Sequence, residues 1–418
     1  MQVSYQVKTA RKGFYVFSAV TLLVLGLNVP KVSVLAVLAA LGVVFVRWKG
    51  DIVYGFPARC SLLLIFSLTY YVTMYFYDFK DLTDVIINPL FITSAYALGF
   101  SITRTNTPDW PSGLVWIVLA MVSGFVAFSF LSVYTAMSSG HGTDILFRSA
   151  PNYWKASESI NGPILGLFAS LGLSLAPVLF LGTGEPFPGR RRLVLLIAAV
   201  SLLVGAGLYV NVSLQNRSPF VALLLSFLLS AYYYFFIRRI SPKHKARTVM
   251  SMILFLCVAA YLFVSSGYDY SQFSLVGRFE VKGLETDRFG AWMYMLRALP
   301  DNLAGGRVVY IGNIDYVHDL WLDVVYDAGI IPVIFLLLFH ALHVKSFADV
   351  FRADIPLLLA LVILSVSVSF LVGFIGEPVL QGSVIYFSAS CFLLGLVSRL
   401  STDVKMAHTY YRVSQQGI

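Results

Sequence analysis

Apolar residues run along this chain in about twelve stretches long enough to cross a bilayer, and polar residues gather in the gaps between them. The stretches lie near 13–30, 31–47, 58–77, 84–103, 110–136, 164–182, 193–211, 218–237, 248–265, 321–342, 355–375 and 380–398. A helix of about 20 apolar residues spans the hydrocarbon core, and it satisfies its own backbone hydrogen bonds where no water can. The pattern predicts an all-α fold: a polytopic transmembrane helical bundle of about twelve spans, forming one domain over 1–418. Two gaps are wider than a tight connection, 137–163 and 266–320. In the second, between spans nine and ten, apolar residues recur at helical spacing from Thr286 to Pro300. This predicts a short amphipathic helix lying on the outer surface.

Composition supports the pattern. The chain is 58% hydrophobic and 12% charged, where a soluble domain carries roughly a quarter charged residues. Too few charges remain to cover a water-facing surface. Lys8, Arg11 and Lys12 precede the first apolar stretch as they would in a signal peptide. No small-residue cleavage site follows and a second apolar run begins at once, so a retained first span is expected. Cys60, Cys257 and Cys391 show neither metal-ligand spacing nor a disulfide framework.

Charge then orients the spans. With the N-terminus inside, inner segments hold 20 of the 30 Lys and Arg, including the run Arg190-Arg191-Arg192. The positive-inside rule is met, which predicts both termini in the cytoplasm. It also accounts for the net charge of +9 without nucleic acid as a partner. Five of the outer cations fall in 266–320, among them Arg288, Arg297 and Arg307, and Arg217 sits at the outer mouth of a span. A solvated loop with ordinary salt bridges would carry such charges, as would an outward-facing anion site. The outer loop at 137–163 adds Arg148, Lys155 and Glu158.

No Walker-type glycine loop, HExxH or Cys/His metal cluster is present, so neither a cytoplasmic ATP-driven pump nor a metalloprotease in the membrane is expected. Three segments could carry chemistry. In Asn216-Arg217-Ser218-Pro219 the proline suits the first turn of a helix, whose amides attract an anion; an arginine snorkelling to the interface fits equally. In the segment from Thr286 to Pro300, Arg288 and Arg297 could meet a phosphate or merely bulk lipid. In His318-Asp319-Leu320-Trp321-Leu322-Asp323, His318 is suited to general-base work near neutral pH. A cap or packing residue is the plainer reading.

Together these residues bear a family likeness. A long outer loop holds Arg288-x3-Trp292, then Leu299-Pro300 and Gly305-Gly306, and closes on His318 with ten residues before Gly329. The layout resembles the O-antigen polymerase and O-antigen ligase superfamily of bacterial envelope glycosyltransferases, and Asn216-Arg217 resembles that family's other arginine motif. Two departures stand out: Asp319 follows the histidine where the family has Asn, Ser or Gln, and Gly305 falls one residue late for the polymerases' Arg-x15-Gly pattern.

The resemblance implies a metal-independent inverting transferase at the periplasmic face of the bacterial inner membrane. Its donor would be an oligosaccharide on undecaprenyl pyrophosphate. Arg217 and Arg288 would bind the pyrophosphate, and His318 would take the proton of the acceptor hydroxyl. Arg148, Lys155, Glu158, Arg297, Trp292 and Asp319 would contact the glycans. Partners would include the acceptor glycan, membrane lipids, a chain-length regulator and a lipid-linked-oligosaccharide flippase. Polymerase is preferred to ligase because the loop between spans five and six is short and not strongly basic. The competing class is a transporter or lipid flippase; the near absence of ionisable residues in mid-span speaks against it.

Overall fold

The structure is a computed structural model that describes residues 2–47, 56–102, 110–138, 149–182, 190–265, 287–308, 316–353 and 355–415. Apolar sequence between polar gaps folds as expected into helices. The first five are α1 (Gln2–Gly26), α2 (Val32–Arg47), α3 (Phe56–Phe76), α4 (Leu82–Ile102) and α5 (Trp110–Ser138). A small antiparallel hairpin follows, β1 (Ser149–Asn152) and β2 (Lys155–Asn161), with its register broken between Pro151 and Asn152. This hairpin departs from the all-α expectation, which set no strand in the outer loop at 137–163. Then come α6 (Gly162–Leu173), α7 (Ala176–Leu181), α8 (Arg190–Ser213), α9 (Ser218–Tyr232, continued by a π-helical turn Tyr233–Ile237) and α10 (Pro242–Ser265). The rest are α11 (Asp287–Arg297), α12 (Leu320–Ala328), α13 (Ile330–Arg352), α14 (Leu357–Gly376), α15 (Val379–Gly382) and α16 (Val384–Gln415).

Among the described residues nine helical segments are long and apolar enough to cross a membrane: α3, α4, α5, α6 with α7, α8, α9 with its π turn, α13, α14 and most of α16. Tyr15–Gly26 in α1 and Val32–Gly42 in α2 are shorter apolar segments. The chain is therefore a multi-pass helical membrane protein. The apolar stretch at 248–265 falls in α10, most of whose side chains beyond Ile253 lie outside the described residues. One boundary differs from the expected 321–342. The span starts at Ile330, because Gly329 adopts φ +82° and ends α12 as a separate helix. The stretch at 164–182 is likewise two helices, since Pro177 cannot donate to the helix before it and α7 starts afresh around it.

The helices group into two compact units, one of 1–124, 288–355 and 374–418, the other of 125–287 and 356–373. In the first, α16 lies along α4, and α3 packs on α4, α12 and α13. The α4–α16 contact is backbone-close: a Cβ on Gly99 would lie 2.0 Å from the Phe392 carbonyl oxygen, and one on Gly395 would lie 2.2 Å from that of Tyr96. Small residues allow this approach where no hydrophobic force drives apolar helices together in lipid. In the second unit α6 packs on α8 in the same way, with Gly172 against the Leu203 carbonyl and Gly207 against that of Ala169. Leu195, Leu202, Leu224 and Leu228 on α8 and α9 are exposed, an arrangement that suits lipid rather than water.

Close packing at Gly99 gives a direct test. Gly99→Val would force an atom into the α16 backbone and should lower stability by about 2 kcal/mol or more. Gly205→Ala, where a Cβ meets nothing within 4 Å, should be neutral or stabilising by up to about 1 kcal/mol. Thermal unfolding of both variants in detergent checks the contrast.

Candidate functional site

The first unit brings together the segment that closes the long loop and the short connection between α14 and α15. Asp319 takes the N-cap position of α12, its Oδ1 accepting from the amides of Trp321 at 3.1 Å and Leu322 at 3.0 Å. That satisfies two of the donors a helix start leaves open. It also occupies the side chain, so Asp319 is a capping residue and not the carboxylate that faces His318. Burial pushes its carboxyl up against the pull of these two amides.

One turn further on, Asp323 is buried. Its Oδ1 accepts from the Val317 amide at 2.7 Å and its Oδ2 from the Asp319 amide at 3.2 Å. The two amides flank His318, which sits at φ +61°. This left-handed conformation is uncommon outside glycine, and Asp323 holds it from both sides. Burial, then the neighbouring Asp327, push the Asp323 carboxyl well above the usual carboxylate range.

The ring of His318 faces a residue that sequence reasoning missed. Glu377, 3% exposed, lies between α14 and α15. Its Oε2 stands 3.7 Å from His318 Nδ1, and its Oε1 accepts from Arg288 Nη2 at 2.8 Å. Arg288 Nη1 donates to the Gly376 carbonyl at 2.5 Å. Nδ1 of His318 is itself buried with no hydrogen-bond partner among the described residues, so Glu377 is the anion it meets. Trp292, one turn along α11 from Arg288, donates from Nε1 to the Val317 carbonyl at 2.9 Å. It thus supports the His318 backbone.

Arg297 does not join the group. Helix α11 forms where the amphipathic pattern predicts it, but nine residues is two and a half helical turns. Arg288 and Arg297 therefore point to opposite sides, and Arg297 is exposed while Ala291 and Met295 are buried. That spacing was open to reading in the sequence. Arg217 belongs to the second unit, at the N-cap position of α9 with Pro219 in the first turn. The buried Asn216 beside it donates to the Gly162 carbonyl at 3.0 Å. In the hairpin Lys155 and Glu158 pair with each other and are both more than half exposed. Arg148 lies outside the described residues.

A second constellation surrounds the C-terminus of α12. Asn302 Nδ2 donates to the carbonyls of Val325 and Tyr326, and the amides of Gly306 and Arg307 donate to those of Asp327 and Tyr326. The turn at 302–307 thus satisfies the open acceptors of the helix end. Its approach requires glycine: a Cβ on Gly305 would lie 2.5 Å from the Ala328 carbonyl carbon, and one on Gly329 would lie 2.4 Å from the Leu303 oxygen. Asp327, fully buried, accepts from Arg307 Nε at 2.8 Å, from Tyr70 Oη at 2.8 Å and from Gln381 Nε2. Burial opposes the charge on Arg307, but Asp327 beside it outweighs burial and raises its pKa.

The arrangement offers an imidazole fixed in position, an acidic group behind it and two arginines each tied to a buried carboxylate. No family model matches the chain, and no curated protein matches it.

The Asp323 bridge makes two expectations. Asp323→Ala leaves the buried Val317 amide without its acceptor and should lower stability by about 1–3 kcal/mol. The raised pKa also sets a sign. Between the ordinary carboxylate value and the raised folded value the folded chain binds the extra proton, so stability falls as pH rises through that window. Asp323→Asn should flatten this slope, as thermal unfolding across pH would show.

Proposed function

We propose that the chain is a glycosyltransferase that uses a lipid-linked glycan as donor, with His318 as general base. The observation that carries this is the buried Glu377 carboxylate facing His318 Nδ1 at 3.7 Å. A carboxylate there favours the tautomer with the proton on Nδ1, leaving Nε2 to accept one. The Asp323 bridge fixes the backbone that carries the ring. Such pre-organisation is what a general base needs and what a packing histidine does not.

In this reading the acceptor hydroxyl oxygen attacks the anomeric carbon of the donor and its proton passes to His318 Nε2. The bond from that carbon to the pyrophosphate oxygen breaks, with inversion. Arg288 offsets the charge that develops on the leaving pyrophosphate. Arg288 has two of its N–H groups committed to Gly376 and Glu377, so its share includes holding Glu377 in place. The donor is a glycan on undecaprenyl pyrophosphate, and the reaction is polymerisation of a surface polysaccharide of the O-antigen kind. Transfer to lipid A–core is the same chemistry with another acceptor. The setting is the bacterial inner membrane, with about twelve spans, cytoplasmic termini and the loop at 266–320 facing the periplasm. That orientation is supported by the inner excess of Lys and Arg.

A strain lacking the gene, complemented with variants and analysed for surface polysaccharide on gels, tests the reading. His318→Ala should abolish the polysaccharide ladder at normal expression, and Glu377→Gln should reduce product by about 10–100-fold, as removal of a supporting group does. Core with a single repeat in the null strain identifies a polymerase; bare core with accumulated lipid-linked polymer identifies a ligase. A normal ladder from well-expressed His318→Ala sinks the transferase reading and raises that of a transporter.

A further inference from the structure

We infer that Arg307 is an anion-binding residue whose guanidinium end takes a phosphate or diphosphate oxyanion. The inference begins from which nitrogens are used. Arginine–carboxylate pairs are frequently bidentate, with two parallel N–H···O bonds. Arg307 instead touches Asp327 through Nε alone, on Oδ1. The other oxygen, Oδ2, is filled by Tyr70 and Gln381. Neither Nη1 nor Nη2 of Arg307 makes a hydrogen bond among the described residues, and the side chain is 22% exposed.

Everything else about the residue is fixed. Its amide is bound to the Tyr326 carbonyl at 3.0 Å, at φ +55°. Its guanidinium carbon lies 4.6 Å from the centre of the Phe79 ring and 5.0 Å from that of Tyr316. The rings strip water from the guanidinium faces, and a weakly hydrated, immobilised fork loses little on meeting an oxyanion. Tyr316 is two residues from His318, which places this end on the same segment as the proposed base. Arg288 contrasts with it: both its Nη groups already hold protein oxygens. The diphosphate contact therefore falls to Arg307 more than to Arg288.

As a statement about the leaving group the inference rests on the transferase reading, but binding is measurable without turnover. The full chain in phosphatidylcholine nanodiscs is treated with phenylglyoxal, and modified arginines are mapped by mass spectrometry. Two probes are compared, inorganic pyrophosphate and farnesyl diphosphate. Either probe should slow modification of Arg307 at least fivefold and that of Arg288 less. Greater potency of farnesyl diphosphate assigns a lipid headgroup and greater potency of pyrophosphate a free diphosphate; both support the inference. Calorimetry should show Arg307→Lys, which keeps the charge beside Asp327 but loses the fork, binding the better probe at least tenfold more weakly. No protection of Arg307 in the unaltered chain, or unchanged affinity in a folded Arg307→Lys, overturns the inference. Either result leaves the transferase reading standing, whereas a normal ladder from His318→Ala leaves Arg307 binding standing.

Discussion

The site depends on one buried carboxylate. Asp323 binds the amides on both sides of His318 and so fixes the backbone of a residue held at φ +61°. Without an acceptor there, a buried amide would be left unpaired, at a cost of roughly 1–3 kcal/mol. A histidine at this φ would relax to another conformation and carry its ring away from Glu377. The bridge therefore couples the start of α12 to the orientation of the imidazole.

The rest of α12 extends the same logic. Asp319, Asp323 and Asp327 are spaced four residues apart, which on a helix sets them along one face. Each has a distinct task. The first caps the helix, the second fixes the segment around His318, and the third anchors Arg307, Tyr70 and Gln381. Three carboxylates so close would repel one another in the ionised state, and burial adds to the penalty. Backbone amides and one arginine offset it. The glycines at 305 and 329 then let the turn at 302–307 close the far end of the helix at backbone distance, while Gly306, at φ +81°, lies against the Tyr77 ring. The Gly-Gly pair and the glycine eleven residues past His318 are thus explained by contact geometry within this chain.

Around this polar element the structure obeys the economy of a membrane protein. Helices are apolar on faces that meet no protein, and they approach closely where glycine faces a backbone carbonyl. The buried carboxylates of the first unit among the described residues, Asp323, Asp327 and Glu377, lie in α12 and the α14–α15 connection, outside the long apolar segments. Charge is costly in hydrocarbon, so its concentration here marks the part of the chain built for polar work.

The sequence by itself determined the helices, because apolar length and period are local properties written in neighbouring residues. It also marked His318, Gly329 and the Gly305-Gly306 pair, and the nine-residue spacing that separates Arg288 from Arg297 could have been read from it. The tertiary structure decided the partners. Glu377 lies 89 residues beyond Arg288, in a short connection with no motif, and its burial against His318 follows only from packing. Asp319 looked like the neighbour of His318 by adjacency, yet the start of α12 turns its side chain to cap amides. Which nitrogens of Arg288 and Arg307 are committed to protein oxygens was equally hidden, since it turns on which nitrogen meets which oxygen. Local pattern carries no record of such pairings, because they arise when distant segments compete for the same buried polar groups.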